Sequence, residues 1–242
     1  MTAHAVPGEP RRGRSRSVFT GPFTVLVALV AAATGFICYV LWPTWPSEPV
    51  ALDAPALPVE VAGVLFEVPP AAIRVAIQRH SGPQERLDLA FAWPSLAPPA
   101  DAAAKDDKAV DPQTAAAAAP ARLFVTIAGL GAVLPPLERL RSIYPRYVEA
   151  QASAGADGLA ILPFRAGTPY ESEDLVYVGA SPEQFFARCT RTGRTVAGTC
   201  IHERAVGAAV ITFRFPRDWL TDWRGVAAGF DRLTAQLHPG GK

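Results

Sequence analysis

The sequence predicts an α+β domain with a mainly antiparallel sheet packed by helices, preceded by one N-terminal transmembrane helix. Several short segments alternate apolar and polar residues, which is typical of half-buried strands. One long segment near the C-terminal end has apolar residues at helical spacing instead. The connections between the predicted strands do not require parallel crossovers, so we expect mostly antiparallel pairing.

Six segments are predicted as strands, and two segments that begin at proline pairs are predicted as helices. Proline suits the first turn of a helix, so the prolines at 69–70 should open a helix that ends near His80. The prolines at 135–136 should open another, which Pro145 interrupts. The predicted strands, in chain order, are GVLFEV, RLDLAFAW, RLFVTIAG, GLAILPF, DLVYVGA and AAVITFRF.

The segment PRDWLTDWRGVAAGFDRLTAQL is predicted to be an amphipathic helix that lies across the sheet. Its apolar residues fall on one stripe at helical spacing. They are Trp219, Leu220, Trp223, Val226, Ala227, Phe230, Leu233 and Leu237. A helix that binds a partner or a membrane surface is the alternative interpretation of this segment.

Residues 18–42 form an uncharged, mostly apolar run that is long enough to cross a bilayer as a helix. Four arginines at positions 11–16 precede this run, and positive residues at one end of a span stay in the cytoplasm. We therefore expect a cytoplasmic basic tail (1–17), an inner-membrane anchor (18–42) and a periplasmic remainder. A cleaved signal peptide is the alternative, but the bulky residues at 39–43 do not form a small-residue cleavage site.

Two biased segments divide the part of the chain that follows the anchor. Residues 43–58 are rich in proline and are predicted to form a semi-rigid extended stalk. Residues 97–121 consist mainly of Ala, Pro, Asp and Lys, and are predicted to be a disordered insertion, because this composition buries too little apolar surface. The two pieces around the insertion together have the size of one domain, residues 59–242.

The charge distribution argues against a nucleic-acid partner. The first 42 residues contain four arginines and one glutamate, so the rest of a chain of net charge +1 carries about −2. A mildly acidic domain lacks the basic footprint that nucleic-acid binding requires.

Cys189 and Cys200 are predicted to form a disulfide, because the expected topology places them in an oxidising compartment. They flank TRTGRTVAGT, a composition typical of a turn between strands. A zinc site is one alternative, but it needs about four ligands and only His202 lies nearby. A redox pair is the other, although catalytic dithiols usually have a two-residue spacing.

No motif in the sequence indicates a catalytic residue, a cofactor site or a metal site. An active site would have to be assembled from scattered residues such as His80, His202, Asp88 and Asp157.

Three arginines in the first folded piece are candidates for anion binding. Arg74, Arg79 and Arg86 lie in and after the first predicted helix of the domain. They are suited to a phospholipid headgroup or a glycan carboxylate. An ordinary solvated helix face explains them equally well.

The cysteine pair followed by AAVITFRFPRDWLTDWRGV, together with the earlier LDLAFAWPSL, resembles parts of uncharacterised single-span periplasmic proteins anchored in the inner membrane of proteobacteria. The resemblance implies an N-terminal anchor and a cysteine pair in the outer domain. It implies no enzymatic activity.

These features predict a membrane-tethered periplasmic module that is not an enzyme and binds an envelope protein or a cell-wall component. The alternative is a periplasmic, hydrolase-like enzyme whose site is assembled from scattered residues. An exposed apolar groove would favour the binding module, and two of the scattered residues within hydrogen-bonding distance in one cleft would favour the enzyme.

Overall fold

A computed structural model describes residues 20–41, 50–99, 121–191, 193 and 198–240. The chain forms two compact units, Met1–Pro46 and Ser47–Lys242. The predicted basic tail, residues 43–49 of the predicted stalk and residues 100–120 of the predicted insertion lie outside the described residues.

The first unit contains helix α1, Thr20–Leu41. Its side chains are described from residue 24 to residue 40, and they are exposed. Within the described residues, no helix combines the length and the apolarity needed to cross a membrane.

The second unit is an α+β domain with a large antiparallel sheet, as predicted. Eight strands form this main sheet in the order β4-β5-β11-β10-β9-β8-β7-β6. A smaller sheet has the order β2-β1-β3, in which β1 pairs antiparallel with β2 and parallel with β3. The strands are β1 Leu57–Val61, β2 Val64–Val68, β3 Gly82–Gln84, β4 Arg86–Ala92, β5 Arg122–Gly129, β6 Ser153–Ala154, β7 Leu159–Pro163, β8 Glu173–Val178, β9 Phe186–Thr190, β10 Thr199–Val206 and β11 Ala209–Pro216.

Two α-helices accompany the sheets in the described part of this unit. Helix α2 is short, Pro136–Ser142, and a 3-10 turn at Tyr144–Arg146 follows it, so Pro145 interrupts the helix as predicted. Helix α3 spans Trp223–Leu237 and follows a 3-10 segment at Arg217–Asp222. The side chain of Asp222 caps α3 by accepting a hydrogen bond from the backbone N–H of Gly225.

The main core lies between one face of the large sheet, helix α3 and the small sheet. Strand alternation directs the buried residues of β4, β5 and β11 to this face, where they meet the apolar stripe of α3. This stripe confirms the prediction that the C-terminal helix packs across the sheet. Its fully or almost fully buried members are Trp223, Val226, Phe230, Leu233 and Leu237.

A second, smaller core lies on the opposite face of the sheet, over β7, β8 and β9. It joins α2 and the turn that follows it to the sheet through Leu140, Tyr144, Phe164, Leu175 and Phe186. The outer surfaces of β4, β5 and β11 are not part of this core, so this half of the face is more open.

The helix predicted for residues 69–80 is wrong. The structure has two 3-10 turns there, Pro70–Ala72 and Ala76–Gln78. Between them, Ile73 forms a bridge to Leu89, and the N–H of Arg74 donates to the carbonyl of Asp88 at 2.9 Å. Pairing with the edge strand β4 satisfies backbone groups that a continuous helix would have used internally.

The domain begins earlier than the stalk prediction implied. Strand β1 starts at Leu57 and pairs Pro58 with Glu67, so the last two residues of the predicted stalk belong to the small sheet. The ends of the predicted insertion are also tied to the domain, because the N–H of Ala92 donates to the carbonyl of Ala97 at 2.8 Å and the N–H of Trp93 donates to the carbonyl of Ala121 at 2.7 Å.

Cys189 and Cys200 form a disulfide, as predicted. They are directly opposite each other on β9 and β10 and are fully buried. The bond closes a loop with a sequence separation of 11 residues. In the chain-entropy model, a loop of this length stabilises the folded state by about 3 kcal/mol.

Candidate functional site

An exposed apolar segment joins β5 to α2. Val133, Leu134 and Leu137 expose 59%, 42% and 39% of their surface. Scattered single apolar residues are common on protein surfaces, but adjacent ones often mark a contact site.

A cavity of about 170 Å³ borders this segment. It lies where β9 and β10 diverge. These two strands are paired at two positions, Cys189–Cys200 and Arg188–Ile201, and separate beyond them. The walls include Leu137 from α2 and Phe186 from the start of β9.

A second cavity, of about 270 Å³, lies at the C-terminal end of α2, whereas the first lies at its N-terminal end. It is lined mainly by apolar side chains, among them Leu140, Leu162, Tyr177 and Pro182. Glu183 borders both cavities and forms an exposed ion pair with Arg141 at 2.8 Å. We call residues 133–137 and these two cavities the α2 surface.

Arg139 positions the α2 surface by joining three parts of the domain. Its Nε donates to the carbonyl of Leu134 at 3.0 Å, and its Nη2 pairs with Glu203 of β10 at 2.9 Å. Its Nη1 donates to the hydroxyl of Tyr144 at 3.2 Å. Burial raises the pKa of Tyr144, so this hydroxyl stays protonated at neutral pH. The apolar segment is therefore fixed to the sheet and to the smaller core.

His202 lies under the first cavity, on the side of β10 that faces α3. Its Nδ1 contacts the carbonyl of Phe186 at 2.7 Å, and its ring stacks on Phe185 and Phe230. Because a carbonyl only accepts, Nδ1 carries the proton, and the buried Nε2 has no hydrogen-bond partner in the described part of the chain. Burial lowers the pKa of His202 to about 4, so the ring is neutral at physiological pH.

The scattered residues of the enzymatic hypothesis are not brought together. Asp88 pairs with Arg86, Asp157 pairs with Arg224, and the Nδ1 of His80 contacts the carbonyl of Ser81. In the described residues, no hydrogen bond joins any two of His80, His202, Asp88 and Asp157. The same part of the chain contains no group of three His, Cys, Asp or Glu side chains arranged as metal ligands.

The three arginines predicted as anion ligands do lie near one another. Arg74 and Arg86 line one hollow on the open half of the sheet, and Arg74 and Arg79 line the next. They are not on a solvated helix, because the predicted helix is absent. Arg79 donates two hydrogen bonds to the carbonyl of Ile73.

Sequence reasoning missed the α2 surface and the contribution of Arg214 to the first of these hollows. A signal for the α2 surface was present in the uncharged run at 130–137, which is too apolar for an ordinary loop. Arg214 alternates with the core residues Phe213 and Phe215 on β11, so strand periodicity places it on the outer face.

No family model and no curated protein matches the chain. The chain is similar to the solved structure of Smlt3025, an immunity protein of the Stenotrophomonas maltophilia type IV secretion system. The two share 16% identity and a TM-score of 0.50 over 75% of this chain and 92% of that chain. This likeness shows a shared fold.

A second similar structure is the iron-regulated outer membrane lipoprotein FrpD of Neisseria meningitidis. The match has 10% identity and a TM-score of 0.36, over 69% of this chain and 83% of that chain.

Proposed function

We propose that the chain is a membrane-tethered periplasmic module that binds an envelope protein through the α2 surface. The observation that carries this proposal is the exposed apolar segment at 133–137, together with one cavity at each end of α2. Interface anchors are apolar side chains that enter such cavities and exclude water.

The α2 surface defines the chemistry of the partner. The cavity next to Leu140 is the larger and more apolar of the two, so it suits an inserted aliphatic or aromatic side chain. Glu183 stands at the border of both cavities, and its exposed ion pair with Arg141 forms a polar rim. A partner with two apolar side chains, one on each side of a polar residue, matches this arrangement.

The fold is compatible with a binding role. Smlt3025, which shares this fold, is an immunity protein of a type IV secretion system, and this supports a role other than catalysis for the chain. The enzymatic alternative requires an assembled site, and the described residues do not bring its four candidate groups into contact.

Two features of the chain support the proposed location. The apolar run at 18–42 with its preceding arginines supports a single inner-membrane anchor with a cytoplasmic N-terminus. The disulfide between Cys189 and Cys200 supports a periplasmic domain, because such bonds persist in oxidising compartments. Anchoring also raises the local concentration of the domain, so a weak contact with an envelope protein suffices.

Reporter fusions test this topology. A fluorescent protein that folds only in the cytoplasm should be active at the N-terminus, and alkaline phosphatase, which needs periplasmic disulfides, should be active at the C-terminus. The opposite pattern would disprove the proposed orientation. A mature chain that starts near residue 43 would disprove the anchor and leave the periplasmic location standing.

Site-specific photo-crosslinking in living cells tests the binding surface. A photoreactive residue at position 133 or at position 137 should give one protein adduct of the same mass. Ile77, which exposes 78% of its surface outside the α2 surface, is the matched control and should give none. Leu137→Asp should abolish the adduct formed from position 133, because a carboxylate cannot be buried in an apolar contact.

Two results would contradict the proposal. An equal adduct from position 77 would show that the labelling is non-specific. Adducts from 133 and 137 that are attached to peptidoglycan rather than to protein would assign the α2 surface to the cell wall. Ile77→Asp serves as the matched substitution, and it should leave the adduct from position 133 unchanged.

A further inference from the structure

The open half of the sheet carries a polar hollow that the proposed function does not use. The hollow has a volume of about 230 Å³ and lies over β4, β5 and β11. The strand register aligns its floor, since Asp88 is opposite Thr126, Thr126 is opposite Thr212, and Phe124 is opposite Arg214. Arg74 and Arg86 complete the lining.

Positive charge exceeds negative charge in this hollow. Three arginines and one aspartate line it. Arg86 is paired with Asp88 at 2.8 Å, whereas no ion pair in the described part of the chain neutralises Arg74 or Arg214. The domain is mildly acidic in total, so this excess is local.

Two of the three arginines, Arg74 and Arg86, are held in place before any ligand arrives. The guanidinium carbon of Arg74 lies 4.7 Å from the centre of the Phe124 ring, which fixes it over the sheet. Asp88 accepts hydrogen bonds from Arg86 and from the hydroxyl of Thr126 at 2.9 Å. The hydrogen bond from Arg86 lowers the pKa of Asp88, so the carboxylate stays ionised and keeps Arg86 oriented.

We propose that this hollow binds a phosphoryl group, with Arg74 and Arg214 as its main ligands. A carboxylate has two oxygens and is satisfied by one guanidinium fork, whereas a phosphoryl group offers three or four oxygens to several donors. Arg74 approaches from the segment that precedes β3, and Arg214 and Thr212 approach from β11, so donors reach the hollow from two directions, and this arrangement matches the larger anion. The proposal does not depend on the α2 surface.

Phosphorus NMR of inorganic phosphate, with the full-length chain in a maltoside detergent, tests the site. The phosphate signal should broaden in a saturable way at concentrations up to about 10 mM, since a small anion at an open site binds weakly. Arg214→Gln and Arg74→Gln should each raise the dissociation constant at least about tenfold. Arg232→Gln removes an exposed arginine of α3 that does not line the hollow, and it should leave the constant unchanged.

The source of the phosphoryl group is distinguished by two further probes. Glycerol 1-phosphate represents a soluble phosphate ester, and dihexanoyl phosphatidic acid, which is also a phosphomonoester, represents a lipid headgroup. The probe that binds more tightly than inorganic phosphate, and that loses this affinity in the Arg214→Gln variant, identifies the source.

Three outcomes would overturn the proposal. They are the absence of saturable broadening in the wild-type chain, equal broadening in Arg214→Gln, and an equal loss in Arg232→Gln. The melting temperature of each variant is measured alongside, and Arg214 is exposed on the sheet surface, so the Arg214→Gln variant should melt as the wild type does.

Discussion

Replacing Phe230 by alanine is expected to lower the free energy of unfolding by about 4 kcal/mol. Phe230 is fully buried and stacks on Phe213 with ring centres 4.3 Å apart. It also contacts His202 and Phe215, so its removal leaves a cavity between α3 and the main sheet. Urea titration followed by tryptophan fluorescence measures the loss.

Gln236→Ala on the exposed face of the same helix is the control for this substitution, and its effect should stay within about 0.5 kcal/mol. A loss below about 1 kcal/mol for Phe230→Ala would contradict the packing of α3 described above. Such a result would instead support the alternative in which the C-terminal helix contacts a partner or a membrane.

The stability of the domain is expected to fall between pH 6.5 and pH 4 because of His202. Burial lowers the pKa of this histidine in the folded state to about 4, below its ordinary value of 6.5. The unfolded chain therefore binds a proton in this window that the folded chain does not, and the difference favours unfolding as the pH falls. The full loss is on the order of 3 kcal/mol.

His202→Phe should remove this part of the pH dependence, because phenylalanine fills the aromatic cluster and does not titrate. The measurement is the urea midpoint at several pH values between 4 and 7.5. His80→Gln changes an exposed histidine and should keep the wild-type slope. An identical slope in the wild type and in His202→Phe would show that the ring is not buried as a neutral group.

The sequence contained most of the information about the fold. Periodicity alone predicts which residues are buried in β4, β5, β11 and α3. The strands alternate buried and exposed residues, and the helix has its apolar residues on one stripe. The segment at 69–80 was not predictable in this way, because its backbone is directed by pairing with β4. Local propensity favoured a helix there, and a tertiary contact overrode it.

The candidate sites were harder to predict than the fold. The sequence offers Arg74 and Arg86 as candidate anion ligands, but Arg214 lies about 130 residues later in the chain, and the β5–β11 register is what brings it beside them. The α2 surface depends on three contacts of Arg139 with distant groups. Periodicity contains no information about such contacts, which are set by the packing of separate elements.

The large sheet has unequal mechanical strength across its width. β10 and β11 are paired at eight positions, whereas β9 and β10 are paired at two. A force that separated one half of the sheet from the other would therefore concentrate on this narrow junction. The Cys189–Cys200 bond lies at the junction, so a covalent link replaces the missing hydrogen bonds and holds together the two walls of the cavity beside Leu137. A partner seated in that cavity would pull against a bond rather than against a short ladder.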